Sequence, residues 1–203
     1  MANERPRSRM DPERERGLVV RARTDPGAFA ELYDHYLPRV YGFVARRAGD
    51  RAVAEEITAS TFQRGLEAIQ SGSLHRDTLG GWLFRVAASA IVDHRRRREL
   101  DLPPGRRADD AAEPGSDREE PLVGDEVAMA AFTAAFDRDE LRRAICRLSE
   151  PQRRLVVLRF FDDLTDPELC GLLAVSGTTL AVRLDRAVRA LNQAAAAKGS
   201  HAA

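Results

Sequence analysis

From Asp25 onward the apolar side chains return every three to four positions, and residues that begin or end helices interrupt the pattern at intervals. Phe29, Leu32, Tyr33, Tyr36, Val40 and Val44 fall on one side of a helix of 3.6 residues per turn. Asp25 is a capping residue, Pro26 suits a first helical position, and Gly49 ends the run. Asp50 opens a second helix with Val53, Ile57, Phe62, Leu66 and Ile69 inward, stopped by Ser71-Gly72-Ser73. A third, from near Thr78, carries Trp82, Leu83, Val86, Ala87, Ala90 and Ile91 before running into the basic block His94-Arg95-Arg96-Arg97-Arg98. Strand-like alternation of period two is almost absent, so the chain is expected to be all-α.

The periodicity fails twice. Residues 1–24 are rich in Arg, Glu and Pro with little apolar spacing, which predicts a disordered leader. From about Leu100 to Asp125 Pro, Gly and acidic residues displace the apolar pattern, which predicts a flexible linker. Helical spacing resumes from about Glu126 to Leu148. Two capping boxes follow: Ser149 with Gln152 opens a helix bearing Leu155, Val156, Leu158 and Phe161, and Thr165 with Glu168 opens a short one bearing Leu169, Leu172 and Leu173. Ala174-Val175 then makes a tight turn, and Ser176 caps a last helix reaching about Ala195. The expected organisation is a leader (1–24), a helical domain (25–100), an acidic tether (101–125), a second helical domain (126–195) and a tail (196–203), so that two small lobes share a leash.

Charge sharpens this division. The 203 residues carry 32 basic and 32 acidic side chains, a formal net charge of zero, so any affinity for a polyanion must come from where the charges sit. Residues 82–107 hold seven arginines against Asp93, Glu99 and Asp101, a net of +4, whereas residues 108–127 hold eight acids against Arg118, a net of −7. Of the basic residues all but Lys198 are arginine, whose planar fork suits phosphate and guanine, although a coding bias for Arg accounts for this equally well.

Several classes of function are excluded. Cys146 and Cys170 lie in apolar helical patterns and are read as core residues, which rules out a disulfide scaffold or cysteine-rich zinc module. No uncharged stretch approaches the roughly 20 residues needed to cross a bilayer, and the amino terminus lacks the apolar core of an export signal; a cytoplasmic protein is expected. None of His35, His75, His94 and His201 follows a Glu by three positions, and there is no His-Glu-x-x-His, phosphate-cradling Gly-rich loop or Gly-x-Ser-x-Gly elbow. Adjacent Glu55 and Glu56 diverge by about 100° on a helix and make a poor acid–base pair. The expectation is a non-enzyme with no catalytic residue, metal or cofactor.

Two segments carry recognition chemistry. DLTDPELCGLLAVSGTTLAVRLDRAVRALN has the layout of a helix-turn-helix. In its longer helix Leu180, Leu184, Ala187, Val188 and Leu191 form one stripe, while Thr178, Thr179, Val182, Arg183, Arg186 and Arg189 lie opposite. Ser176, Thr178 and Thr179 stand at an amino end that favours anions, Arg183 can pair with guanine, and Arg186 can meet phosphate. The plainer alternative is a solvated arginine face on a packing helix. In the first half Arg85, Ser89, His94, Arg95 and Arg96 lie over the outer surface of the third helix near Trp82 and Phe84, a combination of cations and aromatics suited to single-stranded nucleic acid. A lone Trp at the start of an amphipathic helix is more often a core residue.

These residues resemble a known family, the extracytoplasmic-function (ECF) sigma factors of bacterial RNA polymerase. AFAELYDHYLPRVYGFVARRAGDRAVAEEITASTFQRGLEAI with GWLFRVAASAIVDHRRRR is similar to sigma domain 2, and LRRAICRLSEPQRRLVVLRFFDDLTDPELCGLLAVSGTTLAVRLDRA to sigma domain 4. The resemblance spans about residues 26–100 and 136–193. It implies that the second helix, through Glu55, Glu56, Ala59 and Ser60, docks on the clamp helices of the largest polymerase subunit. The third helix, with Trp82, Arg85, Ser89, His94, Arg95 and Arg96, and the loop at about Leu74 to Gly81 would take unpaired bases of a −10 element. Ser176, Thr178, Thr179, Val182, Arg183 and Arg186 would read a −35 element in the major groove while the apolar flank meets the polymerase flap. An anti-sigma protein is a further candidate partner.

The chain departs from the family pattern where Ala59 and Ser60 stand for Gln and a second acid, where Ala181 and Val182 stand for a basic and a hydroxyl residue, and where Ser89 stands for Asn. Two other readings stay open: a helix-turn-helix regulator acting without polymerase, and a sigma-like interaction protein that has lost promoter function.

Overall fold

A computed structural model of the chain describes residues 10–74, 78–100 and 139–196. Among the described residues there is no strand. The helices are α1 (Pro12–Arg21), α2 (Pro26–Ala48), α3 (Arg51–Gln70), α4 (Leu79–Leu100), α5 (Asp139–Cys146), α6 (Glu150–Val156), a π-helical turn (Val157–Phe161), α7 (Asp166–Leu173) and α8 (Gly177–Ala196). The expected acidic tether, the segment 126–138 and the tail beyond Ala196 lie outside the described residues.

Helix α1 corrects the reading of a disordered leader over Pro12–Arg21; residues 1–9 of that expected leader lie outside the described residues. The Asp11 carboxylate accepts the Glu13 and Arg14 backbone N–H groups at 3.1 and 3.0 Å, an N-cap that starts the helix. Leu18 and Ala22 are buried against the core. The composition hid this because α1 is stabilised by what it docks on: a helix this short is marginal alone and gains its stability from tertiary packing.

Helices α2 to α4 follow the expected boundaries. Asp25 and Asp50 cap α2 and α3 through the Gly27 and Val53 N–H groups, and Gly49 closes α2 at φ 73°, where a side chain would be strained. Leu32, Tyr36, Val40 and Phe43 of α2 meet Ile57, Phe62 and Ile69 of α3 and Leu83, Ala87 and Ile91 of α4. Phe84, expected beside the nucleic-acid face, is fully buried and packs edge-on against Phe43 with centroids 5.4 Å apart. It is a core residue, set there by lying one position from Leu83 on a wide apolar arc.

In the second half both capping boxes form: the Ser149 and Thr165 N–H groups donate to Gln152 and Glu168 at 3.2 and 2.7 Å. The helix that the box at Ser149 opens turns π-helical from Val157, which leaves Phe160 exposed and Phe161 half-buried. Cys146, read as core, is exposed at the end of α5, and Cys170 is half-buried.

The two halves are not held apart. Most of their buried apolar side chains form one cluster, running from Leu18 and Val40 through Phe84 to Leu158, Leu169 and Leu180, while Ile145 and Val157 form a small second one. Helix α7 lies across the start of α4, where a Cβ on Gly171 would come within 2.8 Å of the Gly81 Cα. Both glycines are required by close approach rather than by backbone twist.

Candidate nucleic-acid interface

The recognition face of α8 is built by three local devices. Thr165 starts α7; Ala174, in the left-handed conformation at φ 52°, ends it and turns the chain within three residues. Ser176 then caps α8: its Oγ accepts the Thr179 N–H at 3.2 Å and sits 2.9 Å from the hydroxyls of Thr178 and Thr179. With Leu180 and Ala187 buried in the core, helix geometry turns the other side outward. Thr178, Thr179 and Arg186 are exposed, Val182 is 51% exposed, and Arg183 is half-buried. Arg183 and Arg186 share a groove of about 350 Å³ with Pro151, Gln152, Arg154, Leu155 and Leu173. Six residues named from sequence, Ser176 included, therefore form one continuous surface at a helix amino end. Arg189, on the same side, is paired with Asp185 at 2.7 Å.

The basic helix α4 is less open than its sequence implies. Ser89 and Arg96 are exposed, but Trp82 is half-buried against the core. The Arg85 guanidinium donates to the Gly171 carbonyl of α7 at 3.2 Å, and Arg95 donates to the Arg47 carbonyl at the end of α2 at 3.3 Å. His94 is half-buried with its Nε2 shielded from solvent and without a hydrogen-bond partner. Of the loop expected to receive bases, residues 75–77 lie outside the described residues, while Leu79, Gly80 and Gly81 are buried. On α3, Glu55, Glu56 and Ala59 are exposed and Ser60 is half-buried, forming one outward stripe with Glu55 paired to Arg51 at 2.8 Å.

Sequence reasoning missed the charged groups between the halves. Asp162, its side chain fully buried, is chelated by Arg46 and Arg47 of α2; the Arg47 bond is 2.7 Å long and Arg47 is itself 1% exposed. Arg39 grips Glu168 with two bonds of 2.6 and 2.7 Å and also donates to the Asp163 carbonyl. Glu15 of α1 accepts the Gly80 N–H at 3.2 Å. Burial pushes its carboxyl above the ordinary range, against the hydrogen bonds from Gly80 and Tyr36. In sequence Glu168 reads as a capping residue and Glu15 as part of the leader, and nothing singles out Asp162. The available signal was Gly171, a glycine inside a short helix, which marks a close approach.

Two family models match the chain: Sigma-70 region 2 over residues 32–100 and Sigma-70 region 4 over residues 138–191. The chain is 30% identical to the ECF RNA polymerase sigma factor BldN of Streptomyces coelicolor over 92% of its own length and 68% of BldN. The chain belongs to the ECF sigma factors. It is also 31% identical to the ECF sigma factor RpoE of Cereibacter sphaeroides, over 86% of this chain and 90% of that one. A solved RsbN–BldN complex is similar at 26% identity and a TM-score of 0.35, covering 86% of this chain and 97% of that one. In this sigma factor, region 2 thus corresponds to α2 to α4, and region 4 to α5 to α8; α1 precedes the matched segments. No described helix is long and apolar enough to cross a membrane.

Proposed function

We propose that the chain binds core RNA polymerase and directs promoter-specific initiation without catalysing a reaction itself. The observation that carries this reading is the α8 surface, where Thr178, Thr179, Val182, Arg183 and Arg186 face outward from a capped helix amino end. In this reading that end enters the major groove of a −35 element, where the helix dipole favours phosphate and Arg183 addresses a base edge. Ser89 and Arg96, with Trp82, Arg85, His94 and Arg95 once these are uncovered, take the unpaired −10 strand and help to hold the duplex open. The α3 stripe of Glu55, Glu56, Ala59 and Ser60 meets the polymerase clamp, the flank of region 4 meets the flap, and an anti-sigma protein competes for one of these surfaces. The domain boundaries follow the same scheme, with region 2 extended to include α1.

The test is reconstituted transcription with purified core enzyme on a library of genomic fragments. Defined start sites sharing two spaced elements are expected. Polymerase binding without any defined start site would favour the interaction protein that has lost promoter function.

A further inference from the structure

We propose that Val182 selects sequence by packing its methyl groups on the 5-methyl of one thymine in the major groove of the −35 element. This deepens the proposed function and rests on it, since that reading sets α8 in the groove. Val182 is 51% exposed, and with Val20 and Phe160 it is one of the large apolar side chains that stand out of the described structure. A lone exposed apolar residue is ordinary in itself. The surroundings of Val182 are not. At 100° per residue it lies about 40° from Thr178 and about 60° from Thr179, inside the arc of α8 that also holds Arg183 and Arg186. Thr178, Thr179 and Arg186 are exposed and Arg183 is half-buried. Burial of Leu180 and Ala187 on the other side fixes the direction in which this arc faces.

The chemistry of the arc points to its occupant. Arg183 and Arg186 line one groove of about 350 Å³ together with Arg154 of α6, and no acid is among the residues lining it. Asp185, beside the arc, is held by Arg189 at 2.7 Å. The field around Val182 therefore favours a polyanion. A protein partner would want contiguous apolar area next to Val182, where the arc offers hydroxyl and guanidinium groups. On duplex DNA those groups can meet phosphates and the polar edges of bases, but an aliphatic side chain has one favourable target in the major groove, the thymine methyl. Valine suits that contact because its χ1 is almost fixed on a helix, so little side-chain freedom is lost when the methyl groups meet.

The test uses holoenzyme assembled from core polymerase and the full chain, on a promoter found with the genomic library. Each −35 thymine, on both strands in turn, is replaced by deoxyuridine, which removes the 5-methyl and leaves base pairing intact. At one position this should weaken promoter binding by roughly fourfold, the equivalent of about 0.8 kcal/mol for one buried methyl-sized group. Val182→Ala, which keeps α8 helical because Ala is the better helix former, should bind the thymine promoter more weakly by a similar factor and should no longer distinguish thymine from uracil at that position. Its loss should be the same at low and high salt, unlike that of a removed phosphate contact. Equal binding of all the uracil promoters would overturn the inference, as would a Val182→Ala holoenzyme that still prefers thymine, or a variant whose defect lies in joining core polymerase without DNA. Each of these results leaves the proposed function standing, whereas a holoenzyme that opens no promoter at all would overturn both.

Discussion

Arg183 and Arg186 stand one helical turn apart on α8, yet they are expected to do different work. Arg183 sits half-buried in the groove beside Leu155 and Leu173, where its orientation is constrained, and Arg186 is exposed. Arg183→Ala should cost about 1–3 kcal/mol and relax preference at one −35 position, whereas Arg186→Ala should weaken all promoters alike and reduce the salt dependence of binding. Binding to a set of singly substituted promoters separates the two, and equal sequence-blind losses would remove the assignment of Arg183 to base reading. Glu15 makes a different prediction. Its carboxyl releases a proton near 4.5 in the unfolded chain but at higher pH in the native one, because burial disfavours the charge. The native state then binds more protons across that window, so stability from this group is fully present below about pH 4.5 and is lost as pH rises through the raised value. Glu15→Gln should flatten that fall in melting temperature while preserving an acceptor for the Gly80 N–H.

At the scale of elements, α7 depends most on its caps, because eight residues provide few internal hydrogen bonds for four unsatisfied N–H groups. Thr165→Ala should cost about 1 kcal/mol, read as a lower urea midpoint with an unchanged slope. It should also reduce promoter binding, since α7 sets the angle at which α8 is presented. Helix α4 is held by Phe84, buried against Phe43. Phe84→Ala should cost about 3–5 kcal/mol, measured by denaturant unfolding, a loss too large for the exposed aromatic that its neighbours in sequence suggest. Most of this scale was legible in the chain itself: Asp25, Asp50, Ser149, Thr165 and Ser176 announce helix starts by chemistry confined to one turn. Helix α1 was not, because its apolar content is Leu18-Val19-Val20 and Ala22, too short a run to show a period.

For the molecule as a whole, the junction between halves is where charge and packing meet. Asp162→Ala removes the buried carboxylate that faces Arg47, which would cost about 3–5 kcal/mol if the halves stayed together. Parting them rehydrates both Arg46 and Arg47, so the chain is expected to open rather than unfold. Far-ultraviolet circular dichroism should keep its helical signal while the radius of gyration increases; loss of both together would mean that Asp162 supports the fold itself.

Helix periods, caps, the two-half organisation and the outward face of α8 were determined by the sequence, because each depends on residues within one or two turns of one another. Whether the halves touch, and through which groups, was decided only in three dimensions. Asp162 and Arg47 are 115 positions apart, and nothing local distinguishes a carboxylate that will be buried against arginine from one that will stay in water. The same holds for Arg85 and Phe84: the sequence places both on a basic helix, but only the packing of α2 and α7 determines that one lies under a carbonyl and the other lies in the core.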